Sequence, residues 1–271
     1  MNMKNALVCI FIYMLSNNLY AQTNESSFWK VDSLYSCVLC EMRSFCIYMP
    51  AHFDCDKKYP IIFSADGQML VEDNYKAVLD SMIESELIPP VVLIGAYSNS
   101  QKMDGTNIEY RFYEYVERDI KDTHLRERFD NHSIYFTREL LELLMHRYHV
   151  KPASAYNIFY GCSNGGDYGM NLINQYPNVF THFICFSPVS TVVRKNIVKN
   201  GVQSLLYLAY GTQELESIIG MNLRKLDKKL NKAKNPHVYS TVYDGGHDRN
   251  LWKKEFEKAL IYIFKIDDSL R

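Results

Sequence analysis

No sign of charge dominates this chain: 30 lysines and arginines are interspersed with 31 aspartates and glutamates. Without a basic stripe there is no surface for releasing counterions from phosphates, so nucleic acid is not an expected partner. Long hydrophobic runs are missing as well. The apolar stretch near the N-terminus, Ala6 to Leu15, is about half of the ~20 residues that a membrane-spanning helix needs. No internal repeat or low-complexity linker interrupts the 271 residues, so nothing marks a boundary between two domains. Zinc-type cysteine spacing is absent too. Cys37, Cys40, Cys46 and Cys55 are separated by two, five and eight residues, which fits no common metal-binding pattern. They read as small buried hydrophobes with at most one disulfide, and no metal is expected. Cys162 and Cys185 lie in apolar runs and read as packing residues.

What is present supports one large core. Hydrophobic residues make up 47% of the chain and aromatic residues 14%, enough for a single α/β domain. The start, "MNMKNALVCIFIYMLSNNLYAQ", has Lys4 as a short positive region, then the apolar run, then Ala21 before Gln22. That order predicts a secretory signal peptide over 1–21 and a mature domain over 22–271. Cys9 sits inside the apolar run rather than at the cleavage point, so no lipid anchor is expected. The expected location is therefore periplasmic or secreted, with no stable membrane insertion after cleavage.

Beyond residue 22, strand-length apolar runs alternate with amphipathic helical patterns, which predicts a mostly parallel sheet with helices on both faces. The strands are "RSFCIYM", "PIIFSA", "PVVLIGA", "AYNIFYG", "HFICFS", "SLLYLAYG" and "HVYSTVYD". Helices are read in "YKAVLDSMIES", "TRELLELLMHRYH", "GGDYGMNLINQYP", "IGMNLRKLDKKLNK" and "NLWKKEFEKALIYIF". One region breaks the pattern. Ser98 to Asn131 is polar and charged, with Tyr110, Phe112, Tyr113 and Tyr115 scattered through it. It reads as either a solvated excursion or a cap facing the substrate. As a cap, Tyr113 and its neighbours would stack on a ring or sugar, and Arg111 would pair with an anionic or polar acyl group. The structural rival is an Arg111–Glu114 ion pair that ties the excursion down.

The stretch "YGCSNGGDYG" places Ser163 among Gly161, Gly165 and Gly166, after a buried strand and before an amphipathic helix. A sharp turn that lifts a hydroxyl above the sheet needs such small neighbours. A serine is a weak nucleophile until a base takes its proton, and imidazole suits that task. Among the eight histidines, His247 in "VYDGGHDRNLW" follows the last strand, where glycines leave its ring free to reach the serine. A carboxylate should orient that ring, in the chain order serine, acid, histidine. Glu214, a short turn after "SLLYLAYG", is the first choice, with Glu216 as fallback; Asp244 lies too near His247 in sequence. The backbone N–H of Asn164 and a second donor at Gln68, in the loop "DGQ", are the expected oxyanion partners.

Taken with "KKYPIIFSADGQ", "EYRFYEY", "GCSNGG", "PNVFTHFICFSP", "GTQE" and "GGHDRNLW", the chain resembles the putative-esterase branch of α/β hydrolases. That branch includes enterochelin-esterase-like, feruloyl-esterase-like and S-formylglutathione-hydrolase-like proteins. The resemblance spans Ser44 to Phe264. It implies the α/β-hydrolase fold and a Ser163, Glu214, His247 triad. It also implies cleavage of a small-molecule or carbohydrate-linked carboxylic ester through an acyl-enzyme, without metal or organic cofactor. Two departures stand out: "SADGQ" has small residues where relatives carry bulkier ones, and Cys162 is an uncommon neighbour for the nucleophile. Competing readings are an acyltransferase or serine peptidase with the same triad, and a binding protein that retains the fold without catalysis.

Overall fold

The computed structural model describes residues 25–116, 122–176, 179–189, 204–216, 218–232 and 237–269. The proposed signal segment, residues 1–21, lies outside them. The chain opens with two antiparallel strands, β1 (Phe28–Ser36) and β2 (Glu41–Met49), joined by a four-residue turn. Then follow β3 (Lys58–Ser64), α1 (Gly67–Glu72), α2 (Tyr75–Glu84) and β4 (Val92–Ala96). The excursion holds α3 (Tyr110–Tyr115) and α4 (Thr123–Ile134), which continues through a π-helical turn into α5 (Leu140–Arg147). The second half alternates: β5 (Lys151–Cys162), α6 (Asn164–Gln175), β6 (His182–Phe186), β7 (Leu205–Gly211), α7 (Ile218–Lys232), β8 (Val238–Tyr243) and α8 (Arg249–Ser269).

Together the strands form an eight-stranded sheet in the order β1-β2-β4-β3-β5-β6-β7-β8. From β4 to β8 every pairing is parallel, while β2 runs antiparallel to both neighbours. Strands β4 and β6 are buried at every position. Their mostly apolar sequences, broken only by His182 at the start of β6, follow from having both faces covered. On one face Phe63, Phe136, Phe159, Phe180 and Tyr168 pack under α4, α5 and α6. On the other, Tyr75 of α2 meets Tyr160 and Phe256 of α8. Each such side chain contributes roughly 1.5–3 kcal/mol by burial.

The expected mostly parallel sheet with helices on both faces is what the structure has, with three corrections. Strand β1 is absent from the sequence-based strand set. It is an edge strand, mostly half-buried, and its apolar residues do not alternate cleanly. Cys37, Cys40 and Cys55 are exposed rather than buried, because they lie in the β1–β2 turn and the β2–β3 loop, where no second layer covers them. Cys46, Cys162 and Cys185 are buried, and none of the six described cysteines is in a disulfide.

The third correction concerns the excursion, which is mostly exposed over residues 100–108 but anchored through Glu114 and Arg128. Glu114, fully buried, accepts from Arg43 Nη1 at 2.6 Å and Nη2 at 3.1 Å. It also accepts from Arg128 Nε at 3.0 Å and Nη2 at 2.8 Å. Both arginines are shared with Glu41, at 2.9 and 2.7 Å. The expected Arg111–Glu114 pair does not form, because the two arginines surround Glu114 and Arg111 turns to Asp66.

Candidate active site

Strand β5 runs straight into Ser163, whose φ of 56° and ψ of −123° put a non-glycine residue at positive φ. Such a conformation costs on the order of 1–3 kcal/mol and persists only where its surroundings impose it. Here the Ser163 N–H donates to the Phe186 carbonyl at 2.9 Å, and its carbonyl accepts from the Asp167 N–H at 3.0 Å. Close strand–helix packing does the rest. A Cβ on Gly161 would collide with the Gly165 carbonyl, and one on Gly166 would lie 2.7 Å from the Phe186 carbonyl oxygen. The serine is left half-exposed at the carboxyl end of the sheet.

Strands β5, β6, β7 and β8 are consecutive parallel neighbours, so their carboxyl ends share one edge. Glu214 sits in a 3-10 turn after β7, and His247 in the loop after β8. Their bond is short: Nδ1 of His247 to Oε1 of Glu214 is 2.6 Å. An ionised carboxylate can only accept, so Nδ1 carries the proton and Nε2 remains as a base. The second oxygen, Oε2, accepts from the Gly211 N–H at 2.6 Å and the Ser187 hydroxyl at 2.8 Å. Burial opposes the charge on Glu214. The bonds from His247, Gly211 and Ser187 outweigh it and hold the carboxyl below the ordinary glutamate range. Trp252 completes the surround: its indole N–H donates to the Tyr243 hydroxyl at 2.9 Å, and its ring stands edge-on to His247 at 4.6 Å.

Two nearby aspartates are engaged elsewhere. Asp244 is exposed and accepts from the Thr212 hydroxyl at 3.2 Å. Asp248 caps α8, accepting from the Asn250 and Leu251 N–H groups. The side chain of Glu216 lies outside the described residues.

Asn164 is the first residue of α6, and Gln68 stands in the first turn of α1. Neither N–H has an intrahelical acceptor there. The Gln68 side chain is occupied: its Nε2 donates to Ser98 Oγ at 2.6 Å, and its Oε1 accepts from the Ser98 N–H at 3.2 Å. Only its backbone could serve an oxyanion. Arg111 is occupied as well, giving Nε and Nη2 to the Asp66 carboxylate at 2.7 and 2.6 Å. Tyr113 is half-buried, its ring edge-on to Phe112 at 6.1 Å.

Sequence reading missed Asp66, Ser187, Tyr243 and Trp252. All four lie within or beside quoted motifs, but nothing in their spacing says that they converge.

A serine raised on a strand–turn–helix, with a glutamate–histidine pair on the same edge of a mostly parallel sheet, defines an α/β-hydrolase-fold enzyme. The family model described as Putative esterase matches residues 36–263. The chain belongs to that family and is a carboxylic ester hydrolase. Among solved structures it is similar to a ferulic acid esterase, with 16% identity and a TM-score of 0.69, covering 90% of this chain and 100% of that one. Enterobactin esterase from Shigella flexneri, solved in the presence of enterobactin, has 19% identity and a TM-score of 0.71 over 90% of this chain. This chain spans 60% of that longer protein. An IroE-like serine hydrolase from Shewanella oneidensis has 16% identity and a TM-score of 0.70, covering 88% of this chain and 80% of that one. At these identities the shared feature is the fold.

Proposed function

We propose that the protein cleaves a small-molecule carboxylic ester through an acyl-enzyme on Ser163, with His247 as base and Glu214 as the orienting acid. The observation that carries this is the 2.6 Å bond from His247 to buried Glu214, on the edge where Ser163 sits at positive φ. In the first half-reaction the Ser163 oxygen attacks the ester carbonyl while His247 Nε2 takes the hydroxyl proton. The carbonyl oxygen becomes an oxyanion, met by the N–H groups of Asn164 and Gln68. As the intermediate collapses, His247 returns the proton to the departing alcohol. Water, deprotonated by the same imidazole, then releases the acid and frees the serine. Glu214 stays ionised and stabilises the imidazolium that forms in each half.

Ser163→Ala is expected to lower turnover of a 4-nitrophenyl ester by about 10³-fold or more, with the thermal midpoint nearly unchanged. A fluorophosphonate should label the wild type at Ser163 and leave the variant untouched. Equal labelling of both would sink the assignment. Because the enzyme is expected to be exported by its first 21 residues, the mass of protein recovered outside the cytoplasm should correspond to a chain starting at Gln22. Recovery only of cytoplasmic chain starting at Met1 would refute export.

A further inference from the structure

Asp66 stands between β3 and Gln68, and the excursion grips it from outside. Both Nε and Nη2 of Arg111 bond its two oxygens, at 2.7 and 2.6 Å. The Asp66 N–H donates to the Tyr115 hydroxyl at 3.1 Å, and that hydroxyl bonds Oδ1 at 3.3 Å. Tyr115 is itself fully buried and stacked on Tyr168 of α6 at 5.1 Å, while the Arg111 guanidinium lies 4.9 Å over its ring. Held this way, Asp66 takes φ 55° and ψ 46°, a left-handed conformation uncommon for a residue with a side chain. Its other side meets the serine turn: a Cβ on Gly165 would lie 3.0 Å from Asp66 Oδ2. One buried carboxylate thus touches the excursion, the loop that carries Gln68, and the turn that carries Ser163.

We infer that Arg111 is a positioning residue for the oxyanion hole: by clamping Asp66 it fixes the turn that aims the Gln68 N–H at the substrate oxygen. It also cancels a carboxylate charge that would oppose a developing oxyanion nearby. Arginine suits this role because its planar fork meets both carboxylate oxygens at once, which an ammonium cannot do. Under this inference the excursion acts on rate, through Asp66, as well as on any substrate preference set by its exposed tip.

The inference rests on the Ser163 triad, so wild-type labelling by a fluorophosphonate is checked first. Failure to label Ser163 ends both readings; with labelling intact, the next results bear on the clamp alone. Arg111→Ala, Arg111→Lys and Asp66→Asn are compared on 4-nitrophenyl acetate and with phenylboronic acid, whose serine adduct places an oxygen where the oxyanion forms. A misaimed donor is expected to lower kcat on the order of 10²-fold. KM should stay within about twofold, and boronate affinity should fall in proportion to kcat, because the lost contact belongs to the transition state. The lysine variant, which keeps the charge and stem, reads the same quantities should the alanine variant fail to fold. Wild-type kcat in Arg111→Lys, or a raised KM with kcat and boronate affinity retained, would overturn the inference; the second result would make Arg111 a substrate contact.

Discussion

Glu114 and Glu214 are both buried carboxylates, 0% and 8% exposed, and both are held below the ordinary glutamate range, yet their partners differ in kind. Burial works against the charge in each. Around Glu114 it is overcome by fixed cations. The charge on His132 contributes most where that ring is protonated, but burial pushes His132 down to about 3, so Arg43 and Arg128 supply the compensation at neutral pH. Around Glu214 the compensation comes from one imidazole and neutral donors, the Gly211 N–H and the Ser187 hydroxyl. The lesson is that burial alone does not make a carboxylate catalytic. Two permanent cations leave Glu114 with nothing to offer a moving proton, so it serves as an anchor for the excursion. In the proposed mechanism, a partner that can gain and lose a proton gives Glu214 a charge to use during turnover.

This contrast is sharpest if each glutamate is replaced by its amide. Glu214→Gln should depress kcat on the order of 10⁴-fold, because the amide cannot hold the imidazolium or fix its tautomer. Its thermal midpoint should move little. Glu114→Gln should do the reverse, leaving two buried guanidinium groups uncompensated at a cost of roughly 3–5 kcal/mol. That corresponds to a fall in midpoint on the order of 10 °C by calorimetry, with turnover per folded molecule near wild type. Swapped outcomes would break the comparison.

Acid titration tests the same contrast. Each carboxyl ionises more readily in the folded chain than at the 4.5 of an unperturbed glutamate. The unfolded chain therefore binds more protons just below that pH. Their stabilisation is fully present above pH 4.5 and is lost as pH falls through the folded values. In Glu114→Gln this acid limb of the midpoint-versus-pH curve should be shallower than in wild type, and an unchanged slope would remove Glu114 from the account. The smallest effect is expected at Ser187→Ala, which removes one of the donors to Glu214 Oε2. A net hydrogen bond to a charged group contributes about 1.5–3 kcal/mol. With Gly211 still bonded, kcat should fall only several-fold, as steady-state kinetics would show.

Much of the candidate site was legible because its parts are local. The glycines around Ser163, the turn after β7 that carries Glu214 and the glycines before His247 are all signals within a few residues of the group they serve. The succession of strands and helices along the chain was legible for the same reason, as apolar runs separated by amphipathic ones; their order in the sheet was not. The edge strand β1 was not, since a half-buried strand has no strict pattern to read. Nor were the partners of Arg111 and Glu114. Asp66 lies 45 residues from Arg111, and Arg43 lies 71 from Glu114, separations over which no sequence period carries information.

From the sequence alone came the α/β architecture, the serine turn, and a choice of acid and base by their place after successive strands. Periodicity and turn chemistry are short-range properties and survive in one dimension. Only the tertiary structure decided which charges pair. It gave Arg111 to Asp66 rather than to Glu114, and set Ser187, Tyr243 and Trp252 around the Glu214–His247 pair. Those assignments depend on which side chains the sheet edge and the excursion bring within 3 Å or so of one another, and the sequence records the donors and acceptors without recording that distance.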